Sequence, residues 1–104
     1  MSETFGSFIL GRRKDKGISQ KDLAARILRE DDGKAISPQY LNDIERDRRN
    51  PSSDHLIEQF ASALDVQAEY LFYLAGTFPE DVRTAGAKPE EVVRFFNAFR
   101  KGAR

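Results

Sequence analysis

The chain has 104 residues, of which 39% are hydrophobic and 33% charged, with 17 basic and 17 acidic side chains. This length predicts one small folded domain, and 8 Phe and 3 Tyr are too many for a disordered chain. Without Cys and with one His, no disulfide framework, cysteine nucleophile, metal cluster or cofactor is expected. The sequence has neither an apolar run of membrane-spanning length nor a signal-peptide pattern, which predicts a cytoplasmic protein without a membrane partner.

Apolar residues recur at helical spacing, and no alternating pattern of useful length indicates strands, so the predicted fold is all-α. Ser37 and Pro38 give the sharpest start signal, because serine caps a free amide and proline fits the first helical position. Gly17 and Gly76 are predicted helix stops. The first three predicted helices cover about 3–16, 20–29 and 37–46, and the fifth covers about 67–75. The fourth is capped by Ser52 or Ser53, and its buried stripe runs from Ile57 to Leu64.

The end of the chain is predicted to be a linker with a short turn near 79–83, followed by a sixth helix that begins at Pro89. Acidic residues in its first turn and basic residues in its last turn suit the helix dipole. The apolar stripe of this helix must be buried somewhere, either by completing the core or by pairing with a second copy of the chain. It consists of Val92, Phe95, Phe96 and Phe99.

The third predicted helix has two chemically different faces. Leu41 and Ile44 point to one side, and polar side chains point to the other. On the polar side, amides can pair with adenine, a carboxylate can accept from cytosine, and a guanidinium can bind guanine or phosphate. An ordinary solvated helix would show a similar face, so the interpretation depends on the residues around it. The polar residues are Gln39, Asn42, Asp43 and Arg46.

An ordered set of residues across about 5–75 resembles the Xre-type, lambda-repressor-like helix-turn-helix family. The set is Arg13, Gly17-Ile18-Ser19-Gln20, Leu23-Ala24, Ile36-Ser37, Tyr40-Leu41, Ile44-Glu45-Arg46, Asn50-Pro51-Ser52 and Ala63-Leu64-Asp65-Val66. The resemblance implies a five-helix DNA-binding domain over 1–76, in which the second helix is the scaffold and the third enters the major groove. Residues 77–104 would add a linker and an amphipathic helix that dimerises or completes the core.

The resemblance also implies roles for individual residues. Base contacts would come from Pro38, Gln39, Tyr40, Asn42 and Asp43, of which Pro38 departs from the polar residue common in relatives and Asp43 has an equal claim to a structural role. Contacts to the DNA backbone would come from Gln20, Lys21, Arg12, Arg46, Arg48, Arg49 and Asn50. Gln20 would also brace the recognition helix. Arg13 and Glu45 would form a partly buried structural ion pair.

The connection between the second and third helices is several residues longer than in relatives of this family. It could prolong the scaffold helix and form a small loop. Its acidic run at 30–32 would repel phosphate unless it points away from DNA. The run lacks the alternating ligands of a calcium-binding loop, so no calcium site is expected.

The sequence therefore predicts a transcriptional regulator that binds double-stranded DNA, with repression from a palindromic operator as a homodimer the expected mode. The aromatic stripe of the last helix is assigned to dimerisation, and Tyr70, Phe72, Tyr73 and Phe78 could share that interface. The alternative hypothesis is a protein-interaction module, such as an antitoxin-like or adaptor protein, whose DNA binding is secondary or lost. No enzymatic reaction is implied, since His55 has no catalytic partner in the sequence and is expected at the surface.

Overall fold

The computed structural model describes residues 3–102, and these residues form seven helices. The predicted all-α fold is confirmed, with the predicted turn near Pro79 present as one short helix. No helix in the described part of the chain has the length and apolarity needed to span a membrane. The helices are α1 (Phe5–Asp15), α2 (Gln20–Arg26), α3 (Pro38–Glu45), α4 (Asp54–Leu64), α5 (Ala68–Ala75), α6 (Glu80–Arg83) and α7 (Pro89–Gly102).

Hydroxyl side chains define the starts of the first four helices. Thr4, Ser19, Ser37 and Ser53 each accept a hydrogen bond from a backbone N–H in the first turn of α1, α2, α3 and α4, respectively. These bonds satisfy amides that have no acceptor within the helix. Neither α5 nor α6 has such a side-chain cap. Helices α2 and α3 therefore begin at fixed points.

One hydrophobic core joins α1 to α5. Leu41 and Ile44 are fully buried in it, as the two-faced pattern of α3 predicts, so α3 is held by one side. Phe72, named as a residue that could share a dimer interface, is only 2% exposed, because α5 turns Leu71 and Phe72 together into the core. The largest fully buried side chains are Phe60, Ile9, Leu23, Ile27, Leu41, Ile44, Leu64 and Leu71.

The start of α1 lies directly against the end of α3. A side chain at Gly6 would overlap the backbone carbonyl oxygen of Ile44, so only glycine permits this approach. The Gly6 N–H donates to Asp47 Oδ1 at 3.0 Å, and the Thr4 hydroxyl donates to Asp47 Oδ2 at 2.6 Å. Asp47, two residues after the end of α3, is thereby tied to α1.

The connection from α2 to α3 differs from the expected prolonged helix. The structure ends α2 at Arg26 instead of near Arg29, and residues 27–36 form a small antiparallel hairpin. Ile27 has an extended backbone, and its carbonyl accepts from the Ile36 N–H at 2.9 Å. Both isoleucines are buried, which explains the hairpin: leaving the helix at this point places both side chains in one core.

The hairpin is hydrogen-bonded to the first two turns of α4. The Leu28 N–H donates to the side-chain oxygen of Gln59 at 3.0 Å, and the Leu28 carbonyl accepts from the His55 ring nitrogen Nε2, also at 3.0 Å. Leu28 pairs with Ala35 across the hairpin. His55 thus lies at the surface, partly covered, and its ring donates to a backbone carbonyl of the hairpin.

The C-terminal region, residues 77–102, packs loosely on the end of α5. None of the residues of α6 or α7 is buried. The Phe78 ring contacts those of Phe95 and Phe96 at centroid distances of 6.2 and 6.1 Å, and Tyr73 contacts Phe99 at 5.3 Å. These rings remain 40–56% exposed. The aromatic stripe of α7 thus contacts aromatic neighbours but leaves an open face.

Candidate nucleic-acid interface

The outer face of α3 is the centre of the candidate interface. Pro38 and Gln39 are exposed at its start, whereas Asn42 and Asp43 are partly buried in its middle. Tyr40 lies at the edge of this face and packs partly against the core. Because the other side of α3 is buried, these side chains are the ones that the helix can offer to a DNA groove.

An ion pair between Arg13 and Glu45 fixes the end of α3 to α1. Arg13 donates from Nε to Glu45 Oε2 at 2.6 Å and from Nη2 to Oε1 at 3.1 Å, and its Nη1 donates to the Ile18 carbonyl at 2.8 Å. The two side chains are 11% and 1% exposed. The planar guanidinium therefore holds the carboxylate in a two-point contact, with few degrees of freedom left to either group.

Gln20 braces α3 from the first residue of α2. Its Nε2 donates to Glu45 Oε1 at 2.8 Å and to Asn42 Oδ1 at 3.1 Å. An amide nitrogen carries two hydrogens, and both are used here. In this arrangement the side chain of Gln20 has no donor left for the phosphate contact that the family resemblance implies, so its position favours the bracing role.

Further hydrogen bonds order the polar face itself. Asn42 Oδ1 also accepts from Arg46 Nε at 3.4 Å. Asp43 Oδ1 accepts from Gln39 Nε2 at 3.1 Å and lies 3.4 Å from Arg48 Nε. The carboxylate of Asp43 is thus neutralised by a neighbour on its own chain, which lowers the cost of placing it near phosphates.

The loop after α3 carries exposed basic side chains beside the polar face. The Arg49 guanidinium lies over the Tyr40 ring, 5.0 Å from its centroid, in a cation–π contact. Arg46, Arg48 and Asn50 are exposed in the same segment, and Lys21 is exposed on α2. This arrangement suits contacts to a DNA backbone on either side of α3.

Arg12 and Lys14 of α1 lie in different surroundings. The structure does not bring Arg12 to the polar face: its Nη2 donates to the Leu64 carbonyl at 3.4 Å, at the end of α4. Lys14, which sequence reasoning did not select, lines one depression with Gln20 and Asn42. Its place next to Arg13 on α1 is the signal that could have identified it.

Comparison with known proteins agrees with this geometry. The sequence model of the helix-turn-helix family matches residues 11–71. An uncharacterized HTH-type transcriptional regulator from two strains of Mycobacterium tuberculosis is 39% identical over 71 residues, which cover 68% of this chain and 45% of that protein. The chain thus spans about half the length of these relatives. A similarly described regulator from Sinorhizobium fredii is 38% identical over 66 residues, covering 64% of this chain and 75% of that one.

A solved structure supports the same assignment over nearly the whole chain. A chain of the SinR protein/SinI protein complex is similar with a TM-score of 0.54 and 26% sequence identity, covering 95% of this chain and 99% of the other. The similarity therefore includes the C-terminal helical region as well as the five-helix domain. From the family match, the related sequences and the paired α2 and α3, the chain belongs to the Xre-type, lambda-repressor-like helix-turn-helix family of DNA-binding transcriptional regulators.

Proposed function

We propose that this chain is a cytoplasmic repressor that binds a palindromic DNA operator as a homodimer. The observation that carries the proposal is the ordered polar face of α3, where Gln39, Asn42 and Asp43 are held by hydrogen bonds while the opposite side of the helix is buried. Side chains already held in place lose little conformational entropy when they bind a base.

The placement of the side chains determines which residues contact bases and which contact phosphates. Gln39, Asn42 and Asp43 meet the base edges, with Pro38 and Tyr40 at the margin of the groove. The exposed cations bind phosphates on the flanks, and this contact is sensitive to salt because each neutralised phosphate releases counterions. These flanking residues are Lys14, Lys21, Arg46, Arg48 and Arg49, with Asn50 as a neutral donor.

The open face of α7 supports a homodimer. One α3 helix reads only a short half-site, so a second copy placed about one DNA turn (~34 Å) away would increase affinity. Phe95, Phe96 and Phe99 would be covered by the same face of the partner. The acidic first turn and basic last turn of α7 are complementary in an antiparallel pair, which is the arrangement that a two-fold axis across the helices produces.

A different protein is the second candidate for this face of α7. The open aromatic stripe would suit a helical partner as well as a second copy, and the similar solved chain is part of a complex of SinR protein with SinI protein. A partner bound at this face would compete with the homodimer and change the occupancy of the operator.

Selection of bound fragments from a random pool of duplex DNA tests the proposal. We expect an enriched inverted repeat with half-sites about one DNA turn apart. Gln39→Ala should weaken binding to the enriched site by about 1–3 kcal/mol and relax sequence preference, whereas Arg49→Ala should weaken specific and random DNA alike. A folded protein that enriches no sequence would contradict DNA recognition, and a single unrepeated half-site would contradict the palindrome.

Light scattering tests the dimer separately. Phe99→Glu places a charge in the α7 stripe and should convert the dimer to a monomer, while the matched variant Asn97→Glu, on the opposite side of α7, should leave the dimer intact. A monomeric wild-type protein at concentrations that saturate the operator would contradict the homodimer. A dimer that resists Phe99→Glu would move the interface away from α7.

A further inference from the structure

The hydrogen bonds that lead from Arg13 to Asn42 have one possible direction. A guanidinium only donates and a carboxylate only accepts, so Arg13 donates to Glu45. The Gln20 amide faces Glu45 Oε1 at 2.8 Å, which requires its nitrogen at this position. The same nitrogen lies 3.1 Å from Asn42, so the Asn42 atom that faces it is the oxygen Oδ1. The buried charge pair thereby sets the orientation of an amide on the outer face.

In this orientation, Asn42 can offer DNA only hydrogen-bond donors. Its Oδ1 accepts from Gln20 and from Arg46 Nε at 3.4 Å, which takes up both acceptor directions of a carbonyl oxygen. The NH2 group of Asn42, with two N–H bonds, is the part of the amide free to meet DNA. A free asparagine pairs with adenine by donating to N7 and accepting from the N6 amino group. Asn42 cannot make the second of these bonds, because its side-chain oxygen is already occupied.

We infer that Asn42 selects guanine over adenine, because the Arg13–Glu45–Gln20 chain of hydrogen bonds occupies its amide oxygen. Guanine presents two acceptors, N7 and O6, to the major groove, and both match the N–H donors of Asn42. Adenine would turn its N6 amino group toward the NH2 group of Asn42, donor against donor. This inference rests on the proposed binding of α3 in the major groove. Gln20 is then a positioning residue that sets base preference without touching a base.

Gln39 provides an internal contrast on the same helix. It donates one hydrogen of Nε2 to Asp43 Oδ1 at 3.1 Å and keeps a second hydrogen and its oxygen Oε1 for DNA. Gln39 can therefore make the two-point contact with adenine that Asn42 cannot make. A change at Gln20 should alter the preference at the Asn42 base pair and leave the Gln39 base pair unchanged.

The first step of the test identifies the base pair that Asn42 faces. Selection from random duplex DNA is carried out with the wild-type chain and with Asn42→Ala, and the position whose preference disappears is the Asn42 pair. Binding of the wild-type chain is then measured on four duplexes that differ only at that pair. We expect guanine to be preferred to adenine by about tenfold or more. Equal affinity or a preference for adenine overturns the inference, as does an Asn42→Ala variant that changes no position.

The second step asks whether Gln20 causes the preference. Gln20→Met keeps the length and helix propensity of the side chain and leaves the Arg13–Glu45 pair in place, but frees the Asn42 amide to turn. The guanine-to-adenine ratio should then fall to about twofold or less. The control is Lys21→Met on the next residue, which is expected to keep the wild-type ratio whatever its effect on affinity. An unchanged ratio in a folded Gln20→Met protein, checked by circular dichroism, overturns the inference.

The outcomes separate this inference from the proposed function. If the wild-type chain enriches no DNA sequence, the proposed function fails and the base preference with it. If it enriches an operator with adenine at the Asn42 pair, DNA recognition stands and only the inference fails. If Gln20→Met does not fold, the wild-type ratio on the four duplexes still tests the base preference, and Gln20→Leu, which also removes the donor to Asn42, repeats the second step.

Discussion

The two ends of this chain use the same kind of sequence pattern for different purposes. Helices α3, α4, α5 and α7 are all amphipathic, yet α3 to α5 bury apolar residues in the shared core and α7 buries none. Leu41 of α3 is fully buried, whereas Phe95 of α7 is 53% exposed. A stripe at helical spacing therefore predicts a helix but does not say whether its partner lies in the same chain.

The largest expected effect comes from comparing substitutions of two phenylalanines, one in the core and one on α7. Phe60→Ala should lower the free energy of unfolding by about 3–5 kcal/mol, because it removes a fully buried ring and leaves a cavity. Phe95→Ala should change the unfolding of the monomer far less, since half of its ring is already exposed. Urea denaturation of the two variants at low protein concentration makes the measurement. Equal losses would mean that α7 belongs to the core.

The next test compares two ion pairs. Arg13→Met leaves the buried Glu45 carboxylate without its cation and should cost about 3 kcal/mol in urea denaturation. Arg83→Met removes the pair of Arg83 with Asp54, which at 2.8 Å links the C-terminal region to α4 but is 42% and 34% exposed. We expect no measurable loss from that variant, because water screens the exposed charges. A larger loss at Arg83 than at Arg13 would reverse the contrast.

A smaller effect is expected at the start of the recognition helix. The Ser37 hydroxyl accepts from the Tyr40 N–H at 3.0 Å, and Ser37→Ala should cost about 1 kcal/mol of unfolding free energy. Ser37→Asp restores an acceptor at the same position and serves as the control in thermal melts. Equal melting temperatures for the alanine variant and the wild type would show that packing alone, and not the cap, holds this end of α3.

The smallest expected effect concerns the hairpin and pH. The Arg29 guanidinium donates to Asp32 at 2.8 Å and, with the Lys34 N–H at 2.9 Å, holds the pKa of the Asp32 carboxyl below its ordinary value. A lowered pKa means that the ionised form supports the fold above the ordinary carboxyl pKa, and that this support is lost as the pH falls through the lowered value. A carboxyl NMR titration should show the Asp32 pKa rising in Arg29→Met.

Asp65 is the matched control for that titration. Its pKa is also lowered, by a hydrogen bond from Lys16 at 2.9 Å, and Arg29→Met should leave it unchanged. Lys16→Met should raise the pKa of Asp65 and leave that of Asp32 unchanged. If the pKa of Asp32 is the same in the wild type and in Arg29→Met, the ion pair of the hairpin does not form in solution.

Local signals predicted most helix boundaries and the two faces of α3, because capping residues and a turn of 100° per residue act over a few positions. The end of α2 was not predictable in this way. Ile27 continues the apolar spacing of Leu23 and Ala24, so it fits a longer helix as well as a hairpin, and only the shared burial of Ile27 and Ile36 decides between them. Tertiary packing here overrides a local pattern.

The site shows the same division between local and long-range information. The polar residues of α3 were visible in the sequence, since they recur on one side of a helix. The orientation of the Asn42 amide was not, because it depends on Gln20 and on the Arg13–Glu45 pair, which join three separate helices. A side-chain orientation that depends on hydrogen bonds between distant segments can be determined only from the folded chain.

The hydrogen bonds at the base of the hairpin have a practical consequence for protein engineering. Hydrogen bonds between Ile36 and Ile27 and between Arg29 and Lys34, each 2.9 Å long, join the two strands before the exposed tip at 30–33. Extra residues at the tip would lengthen a loop whose ends are already fixed, and doubling a loop costs only about 0.6 kcal/mol. The tip is therefore a suitable place to insert an epitope tag or a fluorophore-labelling peptide without displacing the neighbouring helices.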